Sequence, residues 1–197
     1  MKTLVVATHN AKKAGEMTTI LTAHLPALEV RTLADYPGAP EPAETGKTYA
    51  DNALIKARSA AAYTGEHALA DDAGLEIDAL PGELGAHSKR FAGEDTPFAE
   101  KMRIVLERLD GVQERSARFR CCIALVSPGG EETIIEDTCE GTIALAPSGS
   151  GGFGYDPIFW LPELGCTMAD LTAEQKHAVS HRGKVLRRLV EALKARG

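Results

Sequence analysis

Two carboxylates stand side by side at the end of an apolar run, in Ala68-Leu69-Ala70-Asp71-Asp72-Ala73-Gly74-Leu75-Glu76-Ile77-Asp78. A carboxylate held beside a core strand is costly unless a cation compensates it. The pair at positions 71 and 72 therefore calls for a compensating cation. His67 to Asp71 reads as a strand end, Asp72-Ala73-Gly74 as a turn, and Leu75 to Leu80 as an alternation of apolar and acidic residues. Adjacent carboxylates followed by a small residue and a glycine suit magnesium, which prefers oxygen ligands and takes one or two carboxylates together with phosphate oxygens. Ala73 and Gly74 leave room for a ligand, and Glu44 offers a further carboxylate from a proline-rich loop. The plainer reading of the same residues is an acidic turn.

The compensating cations are not abundant. The 197 residues hold 22 Lys plus Arg against 28 Asp plus Glu, a net charge of -6 that excludes a general nucleic-acid binder, which needs a basic face. Positions 31 to 100 carry 13 acidic and 6 basic side chains, whereas positions 176 to 197 carry 1 acidic and 7 basic. A net anion with such a basic segment can still take a small anionic ligand. The length suits one compact domain, or two lobes at most. No run of about 18 apolar residues exists to span a membrane, and Met1 to Ala7 is too short for a signal peptide. A cytoplasmic location is expected. Cys121, Cys122, Cys139 and Cys166 form no C-x-x-C pair, which argues against a zinc ribbon and for buried, reduced thiols.

Periodicity places the elements. Lys2 to Ala7 is a valine-rich strand, and Ala11 to Ala23 a helix with Met17, Ile20 and Leu21 on one face. Leu28 to Leu33 predicts a second strand, and 34 to 46 a loop with three prolines. Thr48 to Tyr63 is an alanine-rich helix with Ala53, Leu54, Ala57 and Ala61 on one face. Asp95 or Thr96 is expected to cap a helix ending near Leu109. Ala117 to Val126 and Thr133 to Leu145 read as strands joined through Pro128-Gly129-Gly130. A glycine-rich loop, Ser148 to Tyr155, and a short apolar run, Ile158 to Leu161, follow. Thr172 to Lys176 leads into a final helix, His181 to Lys194. The pattern predicts an α/β fold with a mixed sheet.

Three more segments can carry chemistry. Thr8-His9-Asn10-Ala11-Lys12-Lys13 lies at a strand-to-helix junction, where free N–H groups and the helix dipole favour an anion. It is not a Walker A loop, and an ordinary cap with surface lysines is the alternative. Ser148-Gly149-Ser150-Gly151-Gly152-Phe153-Gly154-Tyr155-Asp156-Pro157 lets backbone approach a ligand, with aromatics to stack on a base and Asp156 to accept from a base edge; a flexible loop tip is the plainer reading. Ser180 is expected to cap the last helix. Lys176, His181 and Arg182 sit near its start, where the dipole disfavours cations unless they face an anion or a base; solvated charge is the other reading.

Together these segments resemble the Ham1/inosine triphosphate pyrophosphatase family. The resemblance rests on Ala70 to Asp78, Gly151-Gly-Phe-Gly-Tyr-Asp-Pro157 and Ser180-His-Arg-Gly183, with weaker matches at Glu44-Thr-Gly46, Asn52-Ala53 and Ser88-Lys-Arg-Phe-Ala-Gly93. It implies a long curved mixed β-sheet flanked by helices in two lobes with the active site in the cleft, one domain over 1–197, and a homodimer. It also implies Mg²⁺-dependent hydrolysis of inosine, deoxyinosine and xanthosine triphosphates to the monophosphate and pyrophosphate. On this chain the resemblance makes Asp72 the general base and a metal ligand, with Asp71 and Glu44 supporting the metal. Thr8, His9, Asn10, Ala11, Lys12, Lys13 and Ala73 fall on the substrate segments, as do Phe153, Gly154, Tyr155, Asp156, Lys176, His181 and Arg182. His9, Ala73 and His87 depart from the usual Gly, Ser and Tyr. The competing readings are a pyrophosphatase for modified pyrimidine nucleotides, as in the similarly folded Maf proteins, and a non-catalytic nucleotide sensor.

Overall fold

Most elements begin and end where local chemistry directs. The computed structural model describes residues 1–195. Strand β1, Thr3–Val6, is buried along its length. Asn10 caps helix α1, Ala11–His24, by accepting from the N–H groups of Lys12 and Lys13. Strand β2, Glu29–Thr32, precedes α2, Tyr49–Thr64. Thr48 and Asp51 form a capping box at the start of α2, and Gly65, at φ 70°, supplies the left-handed residue that ends it. Strand β3, His67–Ile77, is followed by α3, Phe98–Arg108, and by β4, Ser116–Val126, and β5, Glu132–Ile143. Short strands β6, Phe159–Leu161, and β7, Cys166–Thr167, lead to α4, Ala173–Val179, and α5, His181–Ala195. Among the described residues no helix is long and apolar enough to cross a membrane.

The strands form one seven-stranded sheet in the order β2-β1-β3-β4-β5-β6-β7. β1 runs parallel to both β2 and β3, whereas β6 runs antiparallel to β5 and β7, so the sheet is mixed, as expected for this α/β chain.

Two local expectations fail. Asp72-Ala73-Gly74 is no turn: it lies inside the eleven-residue β3. Gly74 is small because a Cβ there would overlap the carbonyl oxygen of Gly85, not because the backbone reverses. Neither Asp95 nor Thr96 caps α3. Pro97 occupies that position without a side-chain bond, and the Thr96 hydroxyl instead donates to the Ala92 carbonyl at 2.7 Å.

The chain divides into two compact units, with boundaries inside β3, β4 and β5 and between His181 and Arg182. In the first unit, Met1–Asp72, Cys121–Asp137 and the segment from Arg182 onward, the alanines of α2 form one side of a core. Ala53, Ala57, Ala60 and Ala61 meet Val5, Ala7, Ala68, Ala70, Ala124 and Val126, with Leu54 partly buried beside them. In the second unit, Ala73–Arg120 and Thr138–His181, the core gathers Leu75, Ile77, Phe91, Met102, Val105, Phe119, Ile158, Phe159 and Met168. Cys121, Cys122 and Cys139 are buried free thiols, and Cys166 is half-buried. Burial pushes the Cys122 thiol up to about 12, which keeps it a thiol.

Candidate active site

In the first unit the strand alternation of β3 sorts its side chains. Successive residues of a strand point to opposite faces. Ala68 and Ala70 pack with α2, and Asp72 follows them to that face. Asp71 points the other way, toward α1 and α5.

On the α2 face, Asp72 is 5% exposed and accepts from the Asn52 amide at 3.0 Å. Lys56 Nζ stands 3.8 Å from Asp72 Oδ1 and 2.6 Å from Glu44 Oε1, so one lysine holds both carboxylates. Burial raises the Asp72 carboxyl above its ordinary value. Lys56 and the Asn52 bond oppose that rise, Glu44 adds to it, and the net direction is upward. For Lys56, burial pulls the amine down, but the charges of Asp71, Asp72 and Glu44 outweigh it and hold the pKa above normal.

On the opposite face, Asp71 is 1% exposed and takes a bond from Arg182 at 2.9 Å and from Lys13 at 3.3 Å. Arg182, 2% exposed, also reaches Glu16 at 2.7 Å. Burial alone would raise the Asp71 carboxyl, but Lys13, Arg182 and Lys56 hold it well below the usual carboxylate range. Arg182 is thus no solvated cation at a helix start. Glu16 and Asp71 supply the negative charge that its position in α5 needs.

The start of α1 is partly closed to anions. Thr8 Oγ1 accepts from the Asn10 N–H at 3.2 Å, and Asn10 Oδ1 accepts from Lys12 and Lys13 N–H at 3.0 and 3.1 Å. The cap reading of Asn10 holds, which leaves side chains as the main groups an anion could meet here. Lys13 is half-buried beside Asp71, while His9, Ala11 and Lys12 are exposed.

In the second unit the glycine-rich loop is built around Asp156. Its Oδ2 accepts from the Phe153 N–H at 2.7 Å and from Lys176 Nζ at 2.8 Å, with both charged groups buried. Lys176 also lies 4.5 Å from the centroid of the Phe153 ring, a cation–π distance. Gly152, at φ +68°, must be glycine, because a Cβ there would overlap Asp156 Oδ2. Tyr155 turns inward: its hydroxyl donates to the Ser88 carbonyl at 2.9 Å, and its ring meets Phe98 edge-on at 5.3 Å. Gly154 follows Phe153 in the same loop at φ +68°. Ala73, half-buried, opens this unit's share of β3. His181 is 5% exposed.

Sequence reasoning passed over Lys56 and Glu16. Lys56 lies in a helix read only for its alanines, yet it follows Asn52 by four residues and so shares its helix face. Glu16 carries no local signal, because its partner is 166 positions away. Among the described residues no group of three or more His, Cys, Asp or Glu converges as a metal cage. The donor set is instead two carboxylates, Asp72 and Glu44, sharing one lysine. That set fits magnesium, which keeps several waters and takes further oxygens from phosphates.

Residues 4–192 match the model of the Ham1 family. The chain is 48% identical over 193 residues to a dITP/XTP pyrophosphatase of Geobacillus kaustophilus, covering 97% of this chain and 94% of that one. It is 47% identical over 195 residues to a dITP/XTP pyrophosphatase of Geobacter sulfurreducens, covering 98% and 97%. Its fold is similar to a HAM1 protein from Coxiella burnetii, with a TM-score of 0.87, 40% identity and coverage of 99% and 100%. It is also similar to the Staphylococcus aureus Ham1 protein, with a TM-score of 0.89, 35% identity and full coverage of both chains. With the family model and these near-full-length relatives in agreement, the chain belongs to the Ham1 family.

Proposed function

We propose that this chain is a nucleoside triphosphate pyrophosphatase acting on non-canonical purine nucleotides, dITP and ITP together with XTP and dXTP. It releases the nucleoside monophosphate and pyrophosphate and so cleanses the nucleotide pool. The observation that carries the mechanism is the Asp72 carboxylate, buried beside Asn52 and Lys56 with its basicity raised by burial. Relatives bearing the name dITP/XTP pyrophosphatase support the substrate class.

Asp72 takes the proton of a water whose oxygen forms a bond to the α-phosphorus. The α–β bridging bond breaks, and pyrophosphate leaves with its electron pair. A base stronger than an ordinary carboxylate suits this transfer. Asp72 and Glu44 would hold magnesium, with Asp71 fixing the cations behind them. A magnesium ion there would supply Lewis-acid offset of the phosphate charge. Lys13 and Lys56 are the side-chain cations for the triphosphate, with Thr8 and Asn10 at the same helix start.

Phe153 stacks on the base, and Lys176 and His181 donate to the 6-oxo group, while Arg182 is held by Asp71 and Glu16 at the start of α5. Adenine would set its amino group against those donors, a mismatch of about 1–3 kcal/mol per unpaired buried group. We read residues 1–197 as one domain acting in the cytoplasm as a homodimer.

The test is product analysis with Mg²⁺ over a panel of inosine, xanthosine, canonical purine and methylated pyrimidine triphosphates. Stoichiometric pyrophosphate from deoxyinosine triphosphate is expected. Diphosphate with orthophosphate would sink the reaction, and a preference for methylated pyrimidines would move the substrate class. Binding without turnover would favour a sensor.

A further inference from the structure

Among the aromatic residues of the second unit, Phe119 is placed where the core reaches a residue of the proposed site. It lies on β4, 7% exposed. Its ring stacks on the His181 imidazole with centroids 4.8 Å apart and planes at 22°. On the same ring Phe159 packs at 4.5 Å and 44°. Phe159 is fully buried and belongs to the short strand β6. The three rings form a row running from the core to an imidazole at the start of α5. Near-parallel stacking fixes the plane of an imidazole without using either ring nitrogen. Phe119 carries no polar atom and is mostly enclosed, so its own contact with a nucleotide would add little.

We propose that Phe119 is a positioning residue that sets the plane of His181 and, through it, the grip on the substrate base. This rests on the reading of His181 as a nucleotide-contacting residue. A side chain displaced by even a fraction of its length loses directed hydrogen bonds while leaving the attacking water and its base untouched. Loss of Phe119 therefore weakens substrate binding and spares the chemical step.

The experiment is a double-mutant cycle on Phe119→Leu and His181→Ala, with deoxyinosine triphosphate and Mg²⁺. Phe119→Tyr is included as the variant that keeps a stacking ring, and Phe119→Met stands in should the leucine variant fail to fold. The expected result is a KM raised about ten-fold in Phe119→Leu with kcat within about two-fold, the split that marks lost ground-state binding. KM in Phe119→Tyr stays near wild type. The double variant is no worse in KM than His181→Ala alone. Equal losses in His181-intact and His181→Ala backgrounds would reduce Phe119 to a core residue and overturn the proposal. So would an unchanged KM in Phe119→Leu beside a raised one in His181→Ala. An unchanged KM in His181→Ala itself would instead remove His181 from the nucleotide, and the reading beneath the proposal would fall with it.

Discussion

The Asn52 amide donates to Asp72 Oδ2 at 3.0 Å, a bond between two buried groups twenty residues apart. It stabilises the charged carboxylate and so opposes the upward push of burial. On the proposed mechanism, replacing Asp72 by Asn removes the base, and turnover should fall by about 100-fold or more. Replacing Asn52 by Ala leaves the base but removes the bond that favours its ionised form. The acid limb of the kcat/KM profile should then move to higher pH, because the proposed base acts only when deprotonated. A pH–rate profile of both variants checks this, and an unmoved limb in Asn52→Ala would dissociate that limb from Asp72.

Asp71 is expected to matter for stability. Replacing it by Asn leaves Arg182, itself 2% exposed, with its charge partly uncompensated. Breaking a buried pair from one side costs about 3–5 kcal/mol. The folded carboxyl is held well below its ordinary value, so its contribution is complete above the unfolded pKa of about 3.9 and is lost as pH falls through the folded value. Urea denaturation should show a wide gap between wild type and Asp71→Asn at neutral pH. The gap should narrow on acidification below that unfolded pKa.

Gly74→Ala tests whether this glycine serves close approach. The new methyl would meet the Gly85 carbonyl, and backbone cannot step aside as a side-chain tip can. A loss of about 1–3 kcal/mol is expected from overpacking, read by chemical denaturation. A neutral result would show that the 85–88 segment is free to shift.

Gly152→Ala acts on the second cluster. It strains a backbone at φ +68° and pushes on the Asp156 oxygen that holds Phe153 N–H and Lys176. A KM for deoxyinosine triphosphate raised about ten-fold, with a smaller change in kcat, is the expected outcome of steady-state kinetics.

Much of the fold was readable because its signals are local. The valines of β1, the Asn10 and Thr48 caps and the alanine face of α2 each act within a few residues. Misreadings arose where a residue's reason lies elsewhere in the chain. Acidic-Ala-Gly is a fair turn signal, yet Gly74 answers to Gly85. Asp95 and Thr96 look like caps, yet Thr96 bonds back to Ala92. Arg182 looked misplaced at a helix start because its partners, Asp71 and Glu16, are 111 and 166 positions away. The candidate site shows the same division. Asp72 and Lys13 stand out by composition, whereas Lys56 becomes visible only once α2 brings it to Glu44 and Asp72.

The opposite outlook of Asp71 and Asp72 also limits how this chain can evolve. In a strand, inserting or deleting one residue reverses the face of every side chain beyond it. A single-codon insertion in β3 ahead of position 71 would turn Asp72 toward Arg182 and Asp71 toward Lys56, exchanging the partners of the two carboxylates. Length variation is therefore barred from this strand by chemistry as well as by packing, and must be absorbed in the loops on either side. Substitution at either aspartate damages one network; a shift of frame in space damages both at once.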